Sequence, residues 1–486
     1  MMQQFTHDMM FFSSELVLFL GALLSLMAGT YGKNGLRLAA QTAMSTLVIA
    51  LIFIVFTPAN GDVSFGLHFM QTEITRYGKI LAMLAAIGGL MLAPHALRRI
   101  EVYRFEFPVL ILLATLGMCL MISARDFLAL YVGLELQSLS LYILAAFARD
   151  NARATEAGLK YFVLGALSSG MLLYGVSLLY GASGSIQYDT LQTFIASGTP
   201  GMGITLGLVF IISAFCFKIS AAPFHMWTPD VYQGAATPVT AFFTTAPKVA
   251  GALVLAQILL GPLLGAATAW SQILWAAAAL SLCVGGFAAL MQTNIKRLLA
   301  YSTINHVGFL LLSILTGGEN GIAALLVYLA VYIVISLGTF AAILLLQQQG
   351  EAAEELNDLA GLGKRRPRMA MCMAILMFAA AGIPPTAGFL GKMFVLLAAM
   401  KSGFIWLAVL GVLTSVVATF YYLRVIKLMY FDDAIAPMMG VHKLSRRLVA
   451  LLVITTGLTV GLMLMPGIVV DPAVSAAKTF MADLAR

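Results

Sequence analysis

The sequence predicts an all-α, polytopic integral membrane protein with about fourteen transmembrane helices, arranged as two inverted five-helix repeats that each contain one discontinuous helix. Three observations lead to this fold class. Hydrophobic residues make up 61% of the 486 residues and charged residues only 10%, whereas soluble domains carry roughly a quarter charged residues. Apolar segments long enough to cross about 30 Å of hydrocarbon recur from end to end. Two of these segments are interrupted by proline.

The apolar segments, taken in chain order, define the predicted helices. A helix rises about 1.5 Å per residue, so a span requires about 17–25 predominantly apolar residues. The predicted spans are 12–31, 36–57, 74–95, 107–124, 126–147, 159–180, 203–230, 237–261, 270–291, 298–316, 321–347, 369–400, 403–430 and 447–466. The segments 203–230 and 369–400 are the two that are predicted to be discontinuous.

The lysines and arginines between the segments support an even number of spans. When each loop is numbered by the span it follows, the odd-numbered loops hold eighteen of the 28 basic residues. The even-numbered loops hold only four, which are Arg76, Lys79, Arg125 and Lys401. Because basic loop residues accumulate on the cytoplasmic side, we expect the odd-numbered loops in the cytoplasm and both termini outside it.

Two spans are interrupted at matching positions, which predicts an internal repeat. Pro223 interrupts one span close to Lys218, and Pro384 and Pro385 interrupt another ahead of Lys392. Proline removes a backbone donor, and a broken helix is tolerated in a bilayer only where it lines protein or a polar cavity. Each broken span is fourth in a block of five, and the two blocks begin in opposite orientations. The predicted divisions are an N-terminal three-helix segment at 1–106, a first inverted repeat at 107–261, a second inverted repeat at 262–430, and a C-terminal helix with its tail at 431–486.

Charge and cysteine usage exclude several other classes of protein. The net charge of +7 arises from basic residues in membrane-flanking loops, so it does not indicate nucleic-acid binding. The four cysteines lie singly in apolar segments and are interpreted as small buried residues. The six histidines include no pair at ligand spacing, so no metal site is predicted. The polar linker at 347–368 is interpreted as a solvated loop or surface helix that joins the two halves.

Charged residues inside the predicted spans are the strongest indication of function. A lone charge at the bilayer centre costs roughly 2.5–3.5 kcal/mol on insertion scales, so such residues need a partner, water or a functional reason. The charged residues well inside spans are Glu135, Lys218, Lys248 and Lys392. Stripes of serine, threonine and tyrosine on the surrounding helices could together hydrate a continuous path through the protein. Each stripe taken alone could equally form hydrogen bonds across a helix contact.

Glu135 and Lys218 suit proton transfer because the charge on each group depends on the other. Burial disfavours the charged form, while a nearby opposite charge restores it. A buried lysine can therefore take up and release a proton, and moving one charge changes the proton affinity of the other group. We expect this pair to couple a conformational or electrostatic push to proton movement. A permanent ion pair that fixes helix packing is the alternative.

Four further residues are candidate proton relays. His225 and His306 suit this role because imidazole titrates near neutral pH. His225 lies at the first break, where its side chain could instead bond to freed backbone carbonyls. Tyr142 lies on the same helix face as Glu135. Lys160 lies near the start of its span and could be an interfacial lysine that keeps its ammonium group in water.

The residues around the two breaks resemble a known family. The sequence of the first break is Lys218-Ile-Ser-Ala-Ala-Pro-Phe-His-Met-Trp-Thr-Pro-Asp230, which resembles the broken-helix signature of antiporter-like subunits of respiratory complex I and of multisubunit cation/proton antiporters. The same family is resembled by Gln292-Thr-Asn-Ile-Lys-Arg-Leu-Leu-Ala-Tyr-Ser302 with His306, and by Gly382-Ile-Pro-Pro-Thr-Ala-Gly-Phe-Leu-Gly-Lys392. The resemblance covers nearly the whole chain. One departure is Ala236, where the family usually has proline.

The resemblance implies both a fold and a function. It implies fourteen spans with two inverted five-helix repeats, and proton translocation through Glu135, Lys218, Lys248 and Lys392. The chain would be a proton-translocating membrane subunit of NADH:quinone oxidoreductase, which couples electron transfer from NADH to quinone to proton pumping. It would bind no cofactor and hold no redox centre of its own. NADH, FMN, iron–sulfur clusters and quinone would act elsewhere in the assembled complex.

The resemblance also implies partners and a location. The partners would be other membrane subunits of complex I, including further antiporter-like subunits, together with the lipid bilayer and no nucleic acid. The location would be the bacterial inner membrane, with both termini on the periplasmic side. Two alternatives stay open, which are a subunit of a multisubunit cation/proton antiporter and a structural arm that holds a quinone-reducing module.

Overall fold

The computed structural model describes residues 8–31, 34–66, 68–198, 201–346, 354–433 and 445–484, most of which are helical. The elements in chain order are α1 (Ser13–Tyr31), α2 (Gly35–Phe56), β1 (Asn60–Ser64), β2 (Phe69–Thr72), α3 (Glu73–Arg99), α4 (Glu106–Ser123), α5 (Phe127–Ala145), α6 (Ala152–Ser183), α7 (Tyr188–Ala196), α8 (Met202–Ile219), α9 (Trp227–Gly234), α10 (Thr237–Leu260), α11 (Ala267–Ala288), α12 (Ile295–Thr316), α13 (Gly318–Leu345), α14 (Leu362–Arg365), α15 (Pro367–Ala381), α16 (Ala387–Lys401), α17 (Ile405–Phe431), α18 (Arg446–Leu464) and α19 (Gly467–Leu484). Short 3₁₀ helices occupy Leu264–Ala266, Ala289–Met291 and Leu356–Leu359.

The predicted fold class is confirmed. The described residues contain 13 helices that are long and apolar enough to cross a membrane. The predicted discontinuous span at 369–400 forms α15 and α16, which have 15 residues each, so only the two halves together supply the remaining span. Most helix ends lie within a few residues of the prediction. The largest shift is at α6, which begins at Ala152 rather than 159 because the Asn151 side chain accepts hydrogen bonds from its first backbone amides.

Four elements outside the predicted spans, which are β1, β2, α7 and α19, do not follow from the sequence. The strands β1 and β2 form an antiparallel hairpin between α2 and α3, and α7 is a short helix between α6 and α8. The sequence predicts only a tail after residue 466, whereas these residues form α19, which packs against α13. Its apolar face is one-sided, with Ala473, Ala477 and Phe480 buried. It therefore lacks the continuous hydrophobicity by which a span is recognised.

The centre of the bundle is formed by α10, α12 and α13, which are buried along nearly their whole length. In contrast, α1 and α2 are apolar but largely exposed, as expected of helices that face lipid. The contact between α10 and α13 brings the predicted first and second repeats together. Two of the predicted site residues, Lys248 and His306, lie on these central helices.

Both discontinuous helices are present, and they end in the same way. α8 ends at Ile219 and is followed by Ser220 with φ of 68°, while α15 ends at Ala381 and is followed by Gly382 with φ of 84°. A residue in the left-handed region commonly terminates an α-helix, and glycine adopts it without the steric cost that a Cβ atom brings.

The three predicted prolines lie inside these breaks. The peptide bonds Ala222–Pro223 and Pro384–Pro385 are both cis. The chain then resumes as α9 and α16, so each break separates two helical halves of one span. The division into repeats at 107–261 and 262–430 stays a prediction.

The linker between the two halves is more closely packed than the sequence predicts. Residues 347–353 lie outside the described part of the chain. In the remainder, Leu356 and Leu359 are buried, and the Glu354 carboxylate forms an ion pair with the Lys296 ammonium at 2.6 Å. The expectation of a solvated loop or surface helix is met only in part, because Leu356–Leu359 forms a short 3₁₀ helix whose two leucines reach the bundle core.

Candidate functional site

Lys218 lies in the last turn of α8, where the first break begins, and its side chain is buried. The Nζ atom donates hydrogen bonds to Ser138 Oγ at 2.9 Å, to Tyr142 OH at 3.3 Å and to Ser169 Oγ at 3.3 Å. These acceptors lie on α5 and α6, so one amine joins three helices. All three acceptors are neutral hydroxyl groups. A hydroxyl group can also donate a hydrogen bond, so this shell accommodates Lys218 with or without its proton.

Glu135 lies close to this shell but does not contact Lys218 directly. Within the described residues the two side chains form no ion pair, and Ser138, one turn along α5, contacts the lysine instead. The Glu135 Oε1 atom is buried and accepts no hydrogen bond from the described residues, so it is open to accept one. The two members of the predicted pair are therefore not in direct contact, and their coupling stays a prediction. Any coupling between these charges acts across a hydroxyl group.

Lys248 connects α10 to the end of α8. Its Nζ atom donates to Ser220 Oγ and lies 3.5 Å from the backbone carbonyl oxygen of Lys218. The Thr228 hydroxyl donates to the same Ser220 oxygen at 2.7 Å. The ammonium also lies 5.0 Å from the ring centre of Trp227. A cation is favoured here because the last carbonyl groups of a helix carry partial negative charge.

A small cavity lies between α10 and the second half of the protein. Thr244, one turn before Lys248 on α10, lines it together with Lys392 on α16. Its volume of 30 Å³ is enough for about two water molecules. The other polar residues that line it are Ser302, Thr303, His306, Tyr328, Tyr332, Ser336 and Thr339.

His306 is the centre of the hydrogen bonds around this cavity. Its Nδ1 atom lies 2.7 Å from Tyr328 OH, and its Nε2 atom lies 3.3 Å from Tyr422 OH. The Tyr422 hydroxyl in turn lies 2.5 Å from Ser302 Oγ. The imidazole is thus held between two tyrosines from α13 and α17, and its contact with Tyr328 is short enough for proton transfer.

Lys392 lies on α16, and its side chain reaches the second break. Its Nζ atom donates to the backbone carbonyl oxygen of Ala381, the last residue of α15, at 2.9 Å. The ammonium lies 5.3 Å from the ring centre of Phe309 on α12. The lysine stem packs so closely on Gly382 that a Cβ atom there would lie 2.7 Å from Lys392 Cδ. The position of the Lys392 side chain and the backbone geometry of the second break therefore depend on each other.

Six of the eight predicted proton-path residues lie along one buried path. We call this path the polar file and define it as Glu135, Ser138, Tyr142, Lys218, Ser220, Lys248, Thr244, His306 and Lys392. Ser138, Ser220 and Thr244 carry no charge, so a search for charged residues inside spans does not identify them. Their signal in the sequence is that each lies within four residues of a buried charge.

Two predicted relays are not joined to the polar file. Lys160 is 42% exposed and forms ion pairs with Glu156 at 2.7 Å and Asp230 at 3.0 Å, so its environment is that of the interfacial alternative. His225 lies between α8 and α9 and is only half-buried. Among the described residues, no hydrogen bond connects His225 to Lys218.

A second buried charge pair was missed by the sequence analysis. Lys79 is counted with the loop residues although the predicted span 74–95 contains it, and it lies within α3 with 1% of its side chain exposed. Its Nζ atom forms an ion pair with Glu15 of α1 at 2.5 Å and donates to Gln71 at 2.8 Å, while Ser14 donates to the same carboxylate at 2.6 Å. The available signal was two opposite charges just inside the first and third spans.

Comparison with known protein families supports the assignment suggested by this geometry. The family described as "NADH:quinone oxidoreductase/Mrp antiporter, TM" matches residues 124–418. A protein of Rhodospirillum rubrum named NADH-quinone oxidoreductase subunit N is 49% identical over 477 residues, which cover 97% of each chain. A protein of the same name from Beijerinckia indica is 45% identical over 466 residues, covering 96% of this chain and 97% of the relative.

Solved structures with the same fold come from respiratory and antiporter complexes. A chain of respiratory complex I from Thermus thermophilus with bound aureothin has 32% sequence identity and a TM-score of 0.79, covering 94% of this chain and 98% of that one. A chain of the Mrp complex from Dietzia sp. has a TM-score of 0.82 over 98% of each chain. Its identity is only 19%, so this second likeness concerns the fold alone.

Proposed function

The chain belongs to the NADH:quinone oxidoreductase/Mrp antiporter family of membrane proteins, and on that premise we propose that it works as a proton-translocating membrane subunit of an NADH:quinone oxidoreductase. The complex transfers electrons from NADH to quinone, and this subunit couples that transfer to proton movement. Support comes from relatives of nearly the same length, 45–49% identical, that are named subunit N of this enzyme.

The polar file is the observation that carries the proposal. It runs from Glu135 to Lys392 through the centre of the bundle, where a charge has no structural need to be. Two of its lysines, Lys218 and Lys392, lie at the two helix breaks. An ammonium or amine at such a site can hold a proton in one state and release it in the next.

In this mechanism each charge acts on the next one through space. A proton taken up by Lys218 disfavours a second positive charge on Lys248, because both groups lie at the same helix end. Lys248 then releases its proton toward the small cavity that it shares, through Thr244, with His306. The hydroxyl groups and imidazole around that cavity pass the proton to Lys392. A change in the charge of Glu135, set by the neighbouring part of the complex, starts the sequence.

We also propose which partners the chain has and where it lies. The redox cofactors of the enzyme, which are FMN and iron–sulfur clusters, would lie in other subunits together with the NADH and quinone sites. The flanking partners would include further antiporter-like subunits. The chain would lie in the bacterial inner membrane with both termini in the periplasm, as the bias of basic residues toward odd-numbered loops predicts.

Replacing Lys218 by methionine tests the proposal. Methionine fills a similar volume but carries no proton, so NADH-driven proton uptake into inverted vesicles should fall to background while the complex still assembles. The matched control is Lys401→Met, which removes an exposed lysine at the end of α16 and should leave uptake unchanged. Normal uptake by the assembled Lys218→Met complex would reduce the subunit to a structural arm.

The remaining alternative is a subunit of a multisubunit cation/proton antiporter. It predicts Na⁺ flux coupled to a proton gradient without NADH. Parent vesicles with and without NADH distinguish the two, since a subunit of the oxidoreductase moves protons only while electrons flow. Proton-driven Na⁺ flux in the absence of NADH would favour the antiporter.

A further inference from the structure

A large cavity at one end of the bundle lies apart from the polar file. Its volume is 990 Å³, and it is lined by residues of α2, α3 and α18 and of the turn after α3. α2 and α18 begin at this end and α3 ends there, so the cavity opens where the helices leave the hydrocarbon. Its lining includes the apolar side chains of Met44, Leu90, Met91 and Pro94.

The cavity concentrates positive charge. It is lined by five arginines, which are Arg37, Arg98, Arg99, Arg446 and Arg447, and by His95. None of the described residues that line it is acidic. Four of the arginines, which are Arg37, Arg98, Arg446 and Arg447, form no ion pair with any described residue. Other surface cations of the chain do form such pairs, for example Lys364 with Asp433.

The arginines come from different helices, so the fold assembles the cluster rather than the local sequence. Bringing like charges together costs free energy unless an anion offsets the repulsion. Tyr103 also lines the cavity, with its ring 5.7 Å from the Arg98 guanidinium. Burial raises the pKa of the Tyr103 hydroxyl, although Arg98 and Arg447 lower it in part. The hydroxyl is therefore a hydrogen-bond donor and adds to the donors that face the cavity.

We propose that this cavity binds the phosphate headgroup of an anionic phospholipid. Guanidinium groups match phosphate oxygens with paired, charge-assisted hydrogen bonds. The apolar side chains of the lining would contact the upper part of the acyl chains. Pockets for small molecules measure about 300–1,000 Å³, so this cavity suits a lipid headgroup rather than a lone phosphate ion.

The position of the cavity supports a lipid as the source of the phosphate. The loops at this end are those that the bias of basic residues places in the cytoplasm, and basic pockets between helices on that side suit anionic headgroups. A lipid here would hold α18 against α2 and α3. This role is independent of proton transfer and does not rest on the proposed function.

The test measures lipid retained by the purified complex that contains the full chain. Complexes are stripped with detergent, incubated with micelles of phosphatidylcholine plus either phosphatidylglycerol or cardiolipin, and examined by native mass spectrometry. The parent should retain the anionic lipid. The double variant Arg446→Gln/Arg447→Gln should bind it about tenfold more weakly, since each cation near a membrane surface contributes measurably to the attraction.

Two control variants make the result decisive. Arg149→Gln/Arg368→Gln removes two exposed arginines outside the cavity and should leave retention unchanged. Arg446→Lys/Arg447→Lys keeps both charges and should restore most of the retention. Equal retention by the test and control glutamine variants would overturn the proposal. So would binding of inorganic phosphate at this site without retention of either anionic lipid, because the site would then take the free ion.

Discussion

At the breaks after α8 and α15, the last backbone carbonyl groups of a half-helix lie inside the bundle, and a lysine approaches them in each case. At the first break the lysine is Lys248, which comes from the neighbouring helix α10 and also contacts Ser220. At the second break it is Lys392, which comes from the other half of the same span and contacts Ala381 directly. At the first break the lysine therefore belongs to a different helix and also contacts a hydroxyl group. At the second break the lysine belongs to the same span.

This difference indicates how the two breaks respond to protons. An ammonium donates stronger hydrogen bonds to carbonyl groups than a neutral amine does. Loss of the proton from Lys248 therefore loosens a contact between α8 and α10, two separate helices. Loss of the proton from Lys392 loosens a contact between α15 and α16, within one span. We expect the first break to transmit a charge change to its neighbours and the second to open or close locally.

The largest expected effect is that of Lys392→Met. Methionine removes both the proton and the hydrogen bond to Ala381, so the second break loses its only described side-chain donor to that carbonyl. NADH-driven proton uptake into vesicles that carry the assembled complex should fall by roughly tenfold or more, the usual consequence of losing a proton-transfer group. Full uptake by an assembled Lys392→Met complex would separate the second break from proton transfer.

A smaller effect is expected from Gly382→Ala, which alters the second break without removing a charged group. The φ of 84° strains any residue with a Cβ atom, and that atom would lie 2.7 Å from Lys392 Cδ. The strain should cost about 1–3 kcal/mol of stability and lower the thermal midpoint of the full chain. Gly403→Ala is the control, since its φ is 83° but its surroundings are open. Equal midpoints for both variants would show that Lys392 does not constrain Gly382.

Ser220→Ala tests the first break by removing a side-chain group instead of adding one. The left-handed backbone conformation stays, and only the hydroxyl group is lost. Lys248 then lacks its nearest acceptor, and Thr228 lacks its hydrogen-bond partner. The Lys218 carbonyl oxygen remains as a second acceptor, so a net loss of about 1 kcal/mol should lower turnover coupled to pumping about fivefold. Ser213→Ala, at a buried serine of the same helix, should leave it unchanged. A similar fall in both variants would mean that helix packing, not the hydroxyl group, is responsible.

The smallest effect is expected from Tyr422→Phe, which perturbs the link between the breaks. It removes the contacts of that hydroxyl with Ser302 and with His306. Turnover coupled to pumping should fall about two- to fivefold, as for the loss of about 0.5–1 kcal/mol. Tyr188→Phe is the matched control, since that buried hydroxyl on α7 has no hydrogen-bond partner among the described residues and lies outside the polar file. If both variants behave alike, the proton does not pass through the Tyr422 hydroxyl.

The spans and breaks could be predicted because they depend on properties local to the sequence. A run of apolar residues, a proline and a lysine beside it are visible without knowing the packing. Contacts between helices are not visible in this way. The sequence predicts that the charges of Glu135 and Lys218 act on each other, but it does not show that Ser138, rather than Glu135, contacts the lysine. Similarly, hydropathy does not show which charges near the end of a span are buried. Lys79 lies inside the predicted span 74–95, but its burial and its pairing with Glu15 depend on packing between helices.

The buried pair of Glu15 and Lys79 has a genetic consequence. Removing one partner leaves an uncompensated charge, which costs about 3–5 kcal/mol, whereas replacing both by apolar groups of similar size is often neutral. Either single substitution should therefore impair assembly, while the second substitution should suppress the defect of the first. Such a pair changes by joint replacement, so a population that has lost one charge is under selection to lose the other.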